Sequence, residues 1–284
     1  MGDIRRIRKI LKSQPTIEGA GVHLKRAFGY QQLPELDPFL LLDDFHSSNP
    51  DDYIKGFPWH PHRGIETITY VLYGKVEHGD SMGNKGTISS GDIQWMTAGS
   101  GIIHQEMPKG GEDGLMWGFQ LWANLTASHK MMNPRYQDMK SEQVPEITMD
   151  GGVKVKIICG EINGMKGPVQ DIVIDPEYLD ITIPPKSSFT HPVKRGHKAF
   201  AYIIDGKGYF DQNGNEVGGP EGLVIFGDGD EVVISTEDGT VRTLFVSGKP
   251  IGEPVAWRGP IVMNTQEELR IAFEEYEKGT FIKS

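Results

Sequence analysis

The residues best suited to chemistry stand in two short motifs, His60-Pro61-His62 and His104-Gln105-Glu106. On a β-strand, side chains at i and i+2 point to the same face, so each motif presents two donors side by side. Adjacent strands of one barrel bring the two pairs together as three imidazole nitrogens and one carboxylate oxygen. That set suits Fe, Mn, Co, Ni, Cu or Zn. The absence of cysteine near either motif excludes an all-sulfur structural site. One His-x-His alone is a weak signal, because a lone strand histidine is usually a hydrogen-bonded core or surface residue. Here it sits in HPHRGIE, and the second pair follows the glycine-rich turn TAGSGIIH; the compound pattern marks a metal site. Glu66 is a fifth candidate, with the parity of His60 and His62. Four donors leave open positions on a six-coordinate ion and five leave little room, so Glu66 is expected beside the site, orienting a ligand.

The segments that must position these residues read almost entirely as short strands. ETITYVLYG (66–74), GDIQWMTAG (91–99), GLMWGFQLW (114–122), GVKVKIICG (152–160), YLDITIP (178–184), AFAYIIDG (199–206) and GDEVVIST (229–236) are rich in β-branched and aromatic residues and bounded by glycine. The 36 glycines and 18 prolines suit tight turns between strands, and the pattern implies a barrel or sandwich. RGIETITYVLYGK (63–75) lies over RGHKAFAYIIDGK (195–207), and Gly99 and Gly101 lie over Gly227 and Gly229 in the same order, so two similar barrels in tandem are expected. In this alignment His60, His62, Glu66, His104 and Glu106 become Pro192, Lys194, Lys198, Val232 and Ile234. The second barrel therefore carries no metal ligands, and His191 and His197 are read as structural. The expected organisation is an N-terminal barrel over 1–132, a polar linker at 133–147, a C-terminal barrel over 148–250 and a tail at 251–284 that packs back on the barrels. The tail holds a short helix, with Asn264 as N-cap, Glu267 as its capping-box partner, Leu269, Ala272, Phe273 and Tyr276 on one face, and Gly279 closing it.

The formal charge of −10 disfavours direct nucleic-acid binding, which needs a basic face. The one basic run, Arg5, Arg6, Arg8, Lys9 and Lys12, is read as the solvent side of an edge strand. The single cysteine, Cys159, sits in an apolar strand and is read as a packing thiol, which fits a reducing compartment. MGDIRRIRKI lacks the long apolar core of a signal peptide, so a cytoplasmic protein with no membrane association is expected, with nuclear entry open in a eukaryote. A monomer is expected, because the barrels and the helix can cover strand edges.

The run HPHRGIETITYVLYG, followed by GDIQWMTAGSGIIHQEMP and LWANL, resembles the pirin family of the cupin superfamily. LDPFLLLDDF (36–45) and GPIVMNTQEEL (259–269) are similar to pirin segments as well, so the resemblance runs nearly end to end. It implies an all-β fold of two tandem cupin (jelly-roll) barrels with iron(II) in the first, held by His60, His62, His104 and Glu106. Pirins use the His-x-Glu glutamate rather than the first-motif glutamate, which supports Glu106 over Glu66. The resemblance further implies quercetin 2,3-dioxygenase activity on a flavonol and O2. There Glu106 is the natural general base for the 3-hydroxyl, and Trp59, Trp95, Trp117 and Phe119 are candidates to line a pocket or, for most of them, to pack in the core. The alternative is a non-enzymatic, iron-dependent redox sensor that binds a transcription factor or metabolic enzyme.

Overall fold

The computed structural model describes residues 2–33, 35–212 and 217–283. The chain forms two compact units, each assembled from separate stretches. Pro15–Gln31, Phe39–Ser141 and Ile251–Ser284 make the N-terminal barrel; Met1–Gln14, Gln32–Pro38 and Glu142–Pro250 make the C-terminal barrel. In chain order the first strands are β1 (Ile7–Lys12), β2 (Gln14–Glu18), β3 (Val22–Phe28), β4 (Phe39–Ser47), β5 (Phe57–His62) and β6 (Ile65–Tyr73). They are followed by β7 (Lys75–Asp80), β8 (Lys85–Ser89), β9 (Ile93–Thr97), β10 (Ile102–Lys109), β11 (Met116–Asn124) and β12 (Arg135–Met139). Next come β13 (Glu146–Thr148), β14 (Lys154–Cys159), β15 (Glu161–Ile162), β16 (Met165–Lys166), β17 (Glu177–Ile183), β18 (Ser188–Pro192) and β19 (Lys198–Gly206). The last are β20 (Gly208–Tyr209), β21 (Val217–Gly218), β22 (Gly222–Phe226), β23 (Glu231–Ser235), β24 (Val241–Gly248), β25 (Ala256–Arg258), β26 (Ile261–Met263) and α1 (Gln266–Glu277).

The expected all-β, two-barrel fold is present, and the internal repeat is visible as topology. The N-terminal barrel has a seven-stranded sheet ordered β12-β9-β6-β11-β4-β3-β2 and a four-stranded sheet ordered β5-β10-β7-β8. The C-terminal barrel repeats both, as β1-β22-β19-β24-β17-β14-β13 and β18-β23-β20-β21. Strand β1 thus does for the second barrel what β12 does for the first: each closes one edge of its large sheet.

That symmetry redraws the boundaries expected from sequence. Residues 1–14 belong with the C-terminal barrel, and the tail from Ile251 belongs with the N-terminal one. The stretch 133–147 is not a free linker: β12 within it pairs with β9 from Arg135↔Thr97 to Met139↔Ile93, and the segment ends in β13, which pairs with β14. An edge strand buries little of either face, so β12 shows no alternation to read. β1 is the expected basic edge strand, with exposed Arg8 and Lys12. Arg5 departs from that reading. It is buried, and its guanidinium donates to the carbonyls of His197, Gly227 and Lys194. Cys159 is buried, with Sγ 3.4 Å from the Val169 carbonyl, as a packing thiol should be. Helix α1 is capped one residue later than expected: Thr265 accepts from the Glu268 amide and Glu268 reaches back to the Thr265 amide. Leu269 and Ala272 are its buried residues, Phe273 is partly buried, Tyr276 is 38% exposed, and Gly279 takes φ 70° just past its end.

The interiors differ. Val155, Ile181, Phe189, Val232, Ile234 and Phe245 close-pack the C-terminal barrel. The N-terminal barrel has an apolar cluster around Val22, Phe45, Val71 and Ile88, and it buries His62, His78, His104, Glu106 and Gln94 besides.

Candidate metal centre

Strand β5 is an edge strand, hydrogen-bonded only to β10, which is where Pro58 and Pro61 are tolerated. Antiparallel register puts His60 opposite His104 and His62 opposite Ile102; a bulge then brings Glu106 opposite Phe57. Gly64 ends the strand with φ 78°, and a Cβ there would lie 1.9 Å from the Val262 carbonyl oxygen. Only glycine fits, and the turn it makes sends the chain into the other sheet as β6.

The three imidazoles converge. Nε2 of His60 lies 3.0 Å from Nε2 of His62 and 3.0 Å from Nε2 of His104. The donor atoms of all three lie within 4.8 Å of one another. Nδ1 of His60 is 3.0 Å from the Pro58 carbonyl and Nδ1 of His62 is 3.2 Å from the Pro260 carbonyl. A carbonyl only accepts, so both Nδ1 atoms carry the ring proton and both Nε2 atoms present lone pairs. With both rings in that neutral tautomer, the two Nε2 lone pairs face each other at 3.0 Å. That contact is repulsive by itself and becomes favourable with a cation among the three nitrogens. Burial first, and then repulsion from neighbouring imidazoles, holds His62 and His104 well below the ordinary histidine range. They are neutral near pH 7, the form that binds metal. The donor set therefore fits a divalent first-row ion, and the Nδ1–H···carbonyl bonds are the outer contacts that fix ligand orientation.

Glu106 is buried beside the cluster, with Oε2 3.9 Å from His104 Nε2. Thr69 Oγ1 donates to its Oε1 at 3.1 Å and Gln120 Nε2 to its Oε2 at 3.0 Å. It stands next to the converged nitrogens without closing on them. Glu66 does not join. Thr69, three residues along the unbroken strand β6, faces Glu106, so Glu66 points to the opposite face of the sheet. There it is buried, accepts from Thr97 Oγ1 at 2.7 Å, and is raised above the usual carboxylate range by burial. The expectation that it orients a ligand fails because Gly64 breaks the strand between His62 and Glu66.

His60, His62 and Glu106 line a cavity of about 650 Å³. Trp122, Trp257, Tyr30 and Phe57 supply its aromatic walls, and Leu41, Gln120 and Pro260 line it as well. Arg26, paired through two nitrogens with Asp43 at 2.8 and 2.7 Å, also lines it. None of the four aromatics nominated from sequence does. Trp95 and Phe119 are core residues; Trp117 stacks on His46 and donates to Asp44, and Trp59 is 53% exposed. Sequence reasoning missed Trp257 and Pro260, which lie some two hundred residues from the histidines they serve. It also missed Gln120 and Trp122, whose i, i+2 spacing on β11 was the available signal.

In the second barrel, Val232 and Ile234 fill the positions of His104 and Glu106, as expected. The strand register corrects the rest. Val232 lies opposite His191, as His104 lies opposite His60, so His191 occupies the place of His60 and the sequence alignment had slipped by one. His191 Nε2 is 3.0 Å from Glu177 Oε1, which gives it a structural partner. Among the described residues, only the three histidines of the first barrel form a group able to hold a metal.

The comparisons with known proteins agree with this architecture. The profile described as "Pirin" matches residues 21–123 and that described as "Pirin C-terminal cupin domain" matches residues 178–282. A pirin-like protein of Caulobacter vibrioides is 43% identical over 279 residues, covering 98% of this chain and 99% of that one. Pirin of Homo sapiens is 39% identical over 280 residues, covering 97% and 93%. A solved structure of quercetin 2,3-dioxygenase from Acinetobacter baumannii superposes with a TM-score of 0.89 at 30% identity, covering 98% of each chain.

Proposed function

The chain belongs to the pirin family, and we propose that it is a metal-dependent dioxygenase that opens the central ring of a flavonol such as quercetin with release of carbon monoxide. The observation that carries this reading is the set of bare Nε2 atoms at the head of an aromatic-walled cavity. Its volume falls in the range that encloses a small organic ligand. The similarity to a solved quercetin 2,3-dioxygenase supports it. His60, His62 and His104 hold the ion through Nε2, and Glu106 is the fourth ligand. Iron(II) is the ion we propose, within a donor set that other first-row divalent metals share. Once bound, the metal supplies Lewis acidity and a route for electrons between flavonol and dioxygen.

The protein's own groups do the rest. Trp122, Trp257 and Tyr30 flank a flat ring system and keep water from it. Gln120 fixes Glu106 through Nε2 and Trp122 through Oε1, so the carboxylate and the stacking surface are set by one side chain. Glu106, on loosening from the ion, takes the proton of the 3-hydroxyl, and Thr69 continues to hold Oε1.

The test is to load the protein with iron(II) without oxygen, add quercetin, admit oxygen, and follow flavonol absorbance together with carbon monoxide. Turnover that vanishes in His104→Ala supports the reading. One equivalent of bound iron with no turnover contradicts it and leaves the iron-dependent regulator.

A further inference from the structure

A line of ring contacts runs from one histidine of the cluster to the surface. The His62 imidazole meets the Trp122 indole edge-on, with centroids 5.0 Å apart. Trp122 lies 6.1 Å from Trp257, and Trp257 lies 5.8 Å from Tyr30. Tyr30 is 65% exposed. Among the described residues, the other contact from the cluster to a Phe, Tyr or Trp ring leads from His60 to Phe57, whose ring is far harder to oxidise than an indole or a phenol. The branch through His62 therefore reaches oxidisable rings at every step. Each indole N–H on it has an acceptor: Trp122 donates to Gln120 Oε1 at 2.9 Å and Trp257 to the Gly259 carbonyl at 2.7 Å. An indole that has lost an electron becomes acidic, and these acceptors stabilise the charge it develops.

We infer that Trp122, Trp257 and Tyr30 form an electron path that lets peroxide reacting at the metal be discharged at the protein surface. This rests on the metal site proposed above. In the balanced step the O–O bond of hydrogen peroxide breaks as it takes up two electrons and two protons and leaves as two waters. Iron(II), when held at the site, would supply one electron and be left as iron(III). The other comes from Tyr30, passed inward through Trp257 and Trp122. One of the two protons is balanced by the phenolic proton that Tyr30 releases to solvent and the other is taken from solvent water, so Tyr30 ends as a neutral phenoxyl radical. A thiol in solution restores the phenol by giving up one hydrogen atom. The path spares the histidine ligands and the bound organic substrate from oxidation.

Exposure makes the inference sharply testable, because oxidant escaping into solvent attacks accessible side chains first. Trp59 is 53% exposed, and Met82, Met131 and Met165 are nearly as open, yet none of them belongs to the path. The protein is loaded with one equivalent of iron(II) under anaerobic conditions, iron is assayed, and one equivalent of hydrogen peroxide is added. Freeze-quenched samples are read by electron paramagnetic resonance and digests by mass spectrometry. The expected result is a tyrosyl signal that narrows with ring-deuterated tyrosine, and oxidation concentrated on Tyr30 and Trp257. A zinc-loaded sample should show neither. Trp257→Phe should lose the Tyr30 products while still binding one equivalent of iron; Tyr30→Phe should lose the tyrosyl signal and leave Trp257 as the main oxidised residue. Oxidation centred on Trp59 and the exposed methionines, or Tyr30 products that survive Trp257→Phe, would overturn the path with the metal site intact. Failure to retain iron at all would overturn the site and the path together.

Discussion

Acidifying the metal-free protein should destabilise the N-terminal barrel through His62 and His104 specifically. Both are held well below the ordinary histidine value of about 6.5, by burial first. In the unfolded chain they protonate at about 6.5, so below that pH the unfolded state binds more protons than the folded one and stability falls as pH falls. Between pH 6 and pH 5 the loss is about 1.2 kcal/mol for each histidine that stays neutral in the fold, and about 2.4 kcal/mol for the pair. Glu66, raised by burial, works in the opposite direction, so the clean quantity is a difference between proteins. Wild type and His104→Gln are unfolded in urea at both pH values without metal. The five tryptophans, residues 59, 95, 117, 122 and 257, all lie in the N-terminal unit, so their fluorescence reports that barrel alone. His104→Gln should lose about 1.2 kcal/mol less than wild type over this interval. Equal losses would refute the inference that these imidazoles are buried and neutral.

Other perturbations probe the supports of the site. Glu106→Gln should still bind metal at one equivalent but lose roughly 10²–10⁴-fold in flavonol turnover if Glu106 is the base, checked by steady-state kinetics. Gly64→Ala forces a side chain into positive φ against the Val262 carbonyl and should cost about 3 kcal/mol or more, measured by urea unfolding. Lys130 is buried and donates to the Gly64 and Val262 carbonyls and to Asn124 Oδ1. Lys130→Met strands these acceptors and should destabilise by about 3 kcal/mol in the same assay. Thr265→Ala removes a reciprocal cap and should cost about 1 kcal/mol.

The parts of the site legible in sequence were those written in local spacing. His60 and His62, and His104 and Glu106, declared a shared face because a strand alternates with period two, and the register of β5 on β10 joined them as that rule requires. The same rule misled at Glu66, since parity holds only while the strand continues and Gly64 ends it. The tandem barrels were legible from the repeat, but not the exchange of terminal segments. β1 and β12 are edge strands, and nothing in an edge strand's sequence names its neighbour. Arg5 looked like its basic neighbours until the fold supplied carbonyls to bury it against. Trp257 and Pro260 reach the site through tertiary packing of the tail, which no local pattern encodes.

The measurement closest to the central claim is an anaerobic titration of metal-free protein with iron(II), with X-ray absorption of the loaded product. One equivalent should bind, with scattering from three imidazoles and one carboxylate, and His60→Ala, His62→Ala and His104→Ala should each abolish tight binding. Iron that binds without imidazole scattering, or that His104→Ala retains at full affinity, would contradict it.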